Sequence, residues 1–257
     1  MNDPVLKKQV AREVQVAIQY ITMNTLIKPF DNVLVRRAVN MAVNKPLIVR
    51  LINGRGIVAS TFLPPNMPGY GKFNLYPYNP AKARQLLARA GYPNGFSTIF
   101  YTDILGDDPR VSQAIIPMLA QIGIKAQLKV LDFNTWATLV GTKGKVPMAW
   151  APWALDFPDP NDFFEPTLSC ESAVPATFNE AWYCNPKVDA FAHKLKIMTN
   201  RAARLRLYPQ LDMMVMRDAP VVPVYNPILY VLPSATLHNF YLYPPAWEFI
   251  FADYTKE

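Results

Sequence analysis

Segments with a two-residue apolar period alternate along this chain with segments of helical period, and this alternation restricts the fold more than any other feature. Gln19 to Thr25 reads as a strand, and the helix V-L-V-R-R-A-V-N-M-A-V follows Asp31. After Asn44 a second helix opens with Pro46 in its first turn and stops near Gly54. Asn79-Pro80 starts a third, which ends at Gly91. Phe96–Tyr101 is a strand, Val111–Ile122 a helix, and Ile124–Leu131 a cleanly alternating strand. Asp132 caps a short helix through Leu139, and Val146–Trp150 is a buried strand. Pro186 opens a helix to about Met198, and Asn200 caps another in which Pro209 predicts a kink. Strand segments broken by prolines follow Asp218. Residues 1–19 are either helix or an extended lead-in. The class is α/β.

The chain has 257 residues, 25 of them proline and 10 glycine, which predicts rigid loops between ordered elements. The longest loop spans residues 59–79, a length that is usually functional or packed on a partner. The net charge of +7 raises the question of nucleic acid. The basic residues are scattered, and the densest group, Arg201, Arg204 and Arg206, reads as a solvated helix face, so no nucleic-acid partner is expected. No apolar run is long enough to span a membrane. Phosphate-loop, dinucleotide and zinc-protease motifs are absent, as is a nucleophile elbow. Two cysteines with His193 and His238 are too few for a zinc site, so neither a metal nor a cofactor is expected.

The stretch W-A-L-D-F-P-D-P-N-D-F-F, residues 153–164, is the candidate functional segment. Asp156, Asp159 and Asp162 are spaced by three, as paired catalytic carboxylates or hard-metal ligands are on a helix. Pro158 and Pro160 argue against a shared helical face, and Asp159 and Asp162 read as turn and cap residues. Asp156 follows a buried strand and needs a partner. That partner is either an internal Arg or Lys or the ammonium of a ligand, and the residues leave both open. Trp153 is either core or a pocket wall. Cys170 and Cys184, with thirteen residues between them, are either two free thiols or a bridge closing a polar, proline-bearing loop; the bridge points to an oxidising compartment. The start M-N-D-P-V-L-K-K-Q-V is not a secretory signal, and beside a bridge this predicts that the chain is part of a longer protein.

Several motifs, in one order, resemble the second half of the family 5 extracytoplasmic solute-binding proteins of ABC importers for dipeptides, oligopeptides and nickel. They are Y-I-T-M-N, P-F-D-N-V-L-V-R-R-A-V-N-M-A-V-N-K, F-L-P-P-N-M-P-G-Y, Y-P-Y-N-P-A-K-A-R-Q-L-L-A-R-A-G-Y-P-N-G-F, I-G-I-K-A-Q-L, the 153–164 segment and D-A-P-V-V-P-V-Y. The resemblance implies one lobe of a two-lobed periplasmic-binding-protein-like fold (class II, cluster C), a mixed sheet flanked by helices. It implies a ligand-binding lobe over 25–220, with 1–24 entering from the other lobe and 221–257 returning through the hinge to it. It also implies that the aromatic tail (Tyr241, Tyr243, Trp247, Phe249 and Phe251) packs on the missing N-terminal lobe.

The same resemblance implies a non-enzymatic substrate-binding component that captures di- or oligopeptides by lobe closure. Asp156 would take the peptide ammonium near Trp153, and Arg110, in the loop between the Phe96 strand and the next helix, the ligand carboxylate. The Cys170/Cys184 bridge matches the dipeptide branch best. Implied partners are a small peptide or related solute and the importer's permease subunits, for a monomer at the periplasmic or extracellular face of a membrane. The alternatives are a stand-alone lobe with an interaction or regulatory role, a binder of a sugar, opine or nickel chelate, and a hydrolase using Asp156 and Asp159.

Overall fold

In a computed structural model, residues 4–234, 236–238, 240, 242, 255 and 256 are described. The chain opens with α1 (Pro4–Gln9), β1 (Ala11–Val14) and β2 (Ala17–Met23), so the lead-in is helix first and strand after. Helices α2 (Val33–Ala42) and α3 (Lys45–Leu51) precede the short β3 (Gly56–Val58) and the long loop. Then follow α4 (Pro80–Arg89), β4 (Phe96–Asp103), α5 (Asp108–Ala120), β5 (Ile124–Leu131), α6 (Phe133–Val140) and β6 (Met148–Ala154). The remainder comprises α7 (Asn161–Leu168), α8 (Pro186–Lys196), α9 (Arg201–Leu205), α10 (Tyr208–Asp218), β7 (Val221–Val231), β8 (Leu237–His238) and β9 (Thr255–Lys256). The five aromatic residues of the tail lie outside the described residues.

Among the described residues seven strands form one mixed sheet, in the order β1-β7-β2-β6-β4-β5 with β3 on β7. β4 runs parallel to β5 and β6, while β2 is antiparallel to β6 and β7. Alternation along the strands feeds a core on each face. On β6, Ala149, Ala151 and Trp153 point into one core with Ile18, Tyr20 and Phe62. Met148 and Trp150 point into the other, with Ile21, Val35 and Ile115. The domain limits expected at 24 and 221 fall where β2 ends and β7 begins, and these two strands are neighbours inside this sheet.

Three local expectations differ in detail. Asn32, not Asp31, caps α2, accepting from the Leu34 N–H. Pro209 divides the expected kinked helix in two, because it takes the second position of α10, where the missing N–H costs nothing. β7 runs unbroken through its prolines: Pro223 stands opposite Tyr20 at a register shift, and Pro227 serves as an acceptor from the Gln15 N–H at 3.0 Å. The loop over 59–79 packs within the molecule. Its Phe62 and Leu63 N–H groups donate to the buried Asp212 carboxylate of α10, at 3.0 and 3.1 Å.

Candidate functional site

The carboxyl ends of parallel strands are where α/β sheets leave a crevice. Three segments of the chain meet a cavity of about 250 Å³ at that end here. β5 leads into α6, which supplies Phe133 and Trp136, stacked at 5.8 Å. β6 supplies Pro152, Trp153 and Ala154, and Asp156 stands just beyond it. The third wall, Phe178 and Glu180, comes from the loop between Cys170 and Cys184. A second cavity, against α7 and α8, measures about 30 Å³ and has room for little more than water.

The two cysteines are joined. Their loop is also tied down along its length, so it is a fixed wall. The Asn179 side-chain amide donates to the Ser169 and Tyr183 carbonyls, at 2.8 Å each. The Ala181 carbonyl accepts from the Thr25 N–H at 2.8 Å, and Ala176 donates to Gly141 at 3.0 Å. The Cys170 N–H donates to the Asp189 carboxylate.

The three aspartates have separate surroundings. Asp159 accepts from the Asn161 N–H at 3.0 Å and pairs with Arg204, which uses up its charge. Asp162 is buried, and its Oδ2 accepts from the Asp156 N–H at 3.1 Å and the Trp153 indole N–H at 3.3 Å. Burial lifts the Asp162 carboxyl to about 6, and those two donors pull against the rise. Asp162 therefore holds both the turn that carries Asp156 and the indole beside it. Asp156 itself is exposed on the cavity, and among the described residues no Arg or Lys forms an ion pair with it. Of the two partners left open by its position, the internal cation is not found among the described residues.

Trp153 is 8% exposed within the core and packs edge-on against Phe178 at the cavity, at 5.2 Å. Arg110 lies in the first turn of α5, beyond the carboxyl end of β4, rather than in the preceding loop. It is exposed and does not line the Asp156 cavity. Asp159 is committed to Arg204 and does not line the Asp156 cavity, so Asp156 and Asp159 are not brought together as the carboxylate pair expected of a hydrolase. Among the described residues no group of three His, Cys, Asp or Glu side chains is placed to hold a metal ion. No helix of the described residues is long and apolar enough to cross a membrane.

Glu180 is the wall residue that sequence reasoning missed. Its Oε2 accepts from the Tyr20 hydroxyl at 3.3 Å. Nothing local in F-N-E-A-W marks it as buried, since Tyr20 lies 160 residues away.

Residues 3–174 match the family model described as "Bacterial extracellular solute-binding proteins, family 5 Middle". The chain is 33% identical over 232 residues to the glutathione-binding protein GsiB of Escherichia coli, a match that covers 88% of this chain and 45% of GsiB. Its fold superposes on the ABC transporter-associated periplasmic binding protein DppA from Helicobacter pylori, solved with the peptide STSA. There the TM-score is 0.85 at 29% identity, over 92% of this chain and 47% of that one. It also superposes on a dipeptide-binding protein from a Pseudoalteromonas species in complex with Met-Leu, with TM-score 0.86 at 26% identity, over 98% of this chain and 52% of that one. The chain thus spans about half the length of the relatives it matches.

Proposed function

Since the chain belongs to family 5 of the bacterial extracellular solute-binding proteins, we propose that it is the ligand-recognising part of an ABC importer's substrate-binding protein and that it captures short peptides. The observation that carries this reading is the Asp156 carboxylate. It is exposed on an aromatic-walled cavity and free of any cation pair among the described residues. A peptide's α-ammonium would complete it through a charge-assisted hydrogen bond. Relatives named for glutathione and crystallised with peptides support the ligand class. Arg110, beyond the neighbouring parallel strand, would take the carboxylate of a ligand lying along the strand ends.

The protein binds and delivers; it performs no chemistry. The adjacent strands β2 and β7 would carry the chain to and from a second lobe, and closure of the two lobes would bury the peptide. The setting is the periplasm or the outer face of the membrane, which the Cys170–Cys184 bridge suits. The protein would act as a monomer that docks on permease subunits.

Titration calorimetry on the protein expressed from its complete reading frame tests the assignment. In Asp156→Asn, peptide binding should weaken by on the order of 2–5 kcal/mol while the melting temperature stays put. A peptide affinity unchanged in that variant removes Asp156 from the site, and with it the reading.

A further inference from the structure

The ammonium site proposed above leaves a second carboxyl group of the cavity wall without a task. Glu180 is 7% exposed, lines the cavity of Asp156, and is anchored from behind by the Tyr20 hydroxyl. The fixed backbone on either side of it, at Asn179 and Ala181, holds it against the aromatic walls. Two carboxyl groups and four aromatic residues face this cavity, and among the described residues no basic side chain does. Ring faces and carboxylates attract cations and disfavour anions. Because both carboxyl groups line one cavity, a single residue of a ligand can reach them together, its α-ammonium at one and its side chain at the other.

Resting on the reading above, we infer that Glu180 is a specificity-determining residue that selects peptides whose first residue has a cationic side chain, lysine or arginine.

The charge balance gives this selection a signature. The titratable groups around Glu180 are Tyr20 from β2 and Asp156 beyond β6; α6 contributes Phe133 and Trp136 to the wall. Burial holds the Glu180 carboxyl up to about 8, so in the empty cavity at neutral pH it keeps its proton. An entering cation favours the carboxylate, so binding of a basic peptide expels that proton to the buffer. A neutral peptide of similar size leaves it in place.

Calorimetry at pH 7 on the protein from its complete reading frame, with Lys-Ala-Ala and Met-Ala-Ala in two buffers of different ionisation enthalpy, reads both effects. The basic peptide should bind about tenfold or more tightly than the neutral one. It should release most of a proton, and the neutral peptide none. Glu180→Gln should bring the two affinities to within about threefold of each other. Glutathione, with a carboxylate beside its ammonium, should bind most weakly of the three. Equal affinities for the two peptides in the unaltered protein overturn the inference, as does a preference that persists in Glu180→Gln without proton release. Should that variant fail to fold, the proton count in the unaltered protein decides alone. The reading above stands if Met-Ala-Ala binds and depends on Asp156, whatever Glu180 does; if no peptide binds, both fall.

Discussion

Burial holds the Glu180 carboxyl up to about 8, against the pull of its own N–H and of Tyr20. The group is thus above its ordinary 4.5 in the folded protein. The stability it contributes is fully present below about that value and drains away as pH rises through 8, because the folded state must then lose a proton it holds more tightly than the unfolded chain does. Glu180→Gln removes this dependence. Thermal melts of the ligand-free protein should find the variant level with or below the unaltered protein at pH 5 and above it at pH 9, by on the order of a few kcal/mol at most. A gap that does not change with pH would mean that Glu180 titrates as it would in water. The position of Asp156 just past a buried strand was legible in the sequence because its cue is local: a buried strand, a tryptophan three residues earlier and a proline-rich turn. Glu180 and the supporting role of Asp162 were not, because only packing decides which carboxyls are enclosed and which N–H groups face them.

At the scale of elements, the start of the parallel pair β4 and β5 depends on a contact between two glycines. Gly95 has φ +73°, and a Cβ there would lie 1.8 Å from the Gly123 carbonyl oxygen. The Phe96 N–H donates to that same oxygen at 3.2 Å, so the two backbones cannot part without losing the first rung of the ladder. Gly95→Ala should therefore cost about 3 kcal/mol or more in denaturant unfolding. Gly144 has a similar φ of +72° but open space around it, so Gly144→Ala should cost only the backbone strain, about 1–2 kcal/mol. Equal losses in the two variants would show that φ alone matters and that the Gly95–Gly123 approach does not. Most elements were legible from their caps: Asn44, Asn79, Asp132 and Asn200 each accept from the first turn they were expected to start. The unbroken β7 was not. A proline ends a strand only where its N–H is needed, and the need depends on the register of strands distant in sequence.

At the scale of the molecule, the sheet has β2 and β7 side by side, and the cavity is open toward solvent at the strand ends. If a second lobe closes over that opening, much of the ligand's buried surface comes from it. The 257-residue chain alone should then bind peptide at least ~100-fold more weakly than the protein from a complete reading frame that carries a preceding half. Equal affinity by calorimetry would assign the whole site to this lobe.

The alternating periods, the caps and the order of the motifs come from the sequence alone, since each depends on residues within a few positions of one another. They suffice for the α/β class, for the family and for the Trp153–Asp156 turn. Tertiary structure decided which of three aspartates faces the cavity with no ion-pair partner among the described residues, which loop becomes a wall and where Glu180 sits. Each of those turns on a contact between distant parts of the chain: Asp159 with Arg204, Thr25 with Ala181, Tyr20 with Glu180. Desolvation and pairing act through space, and no local pattern carries them.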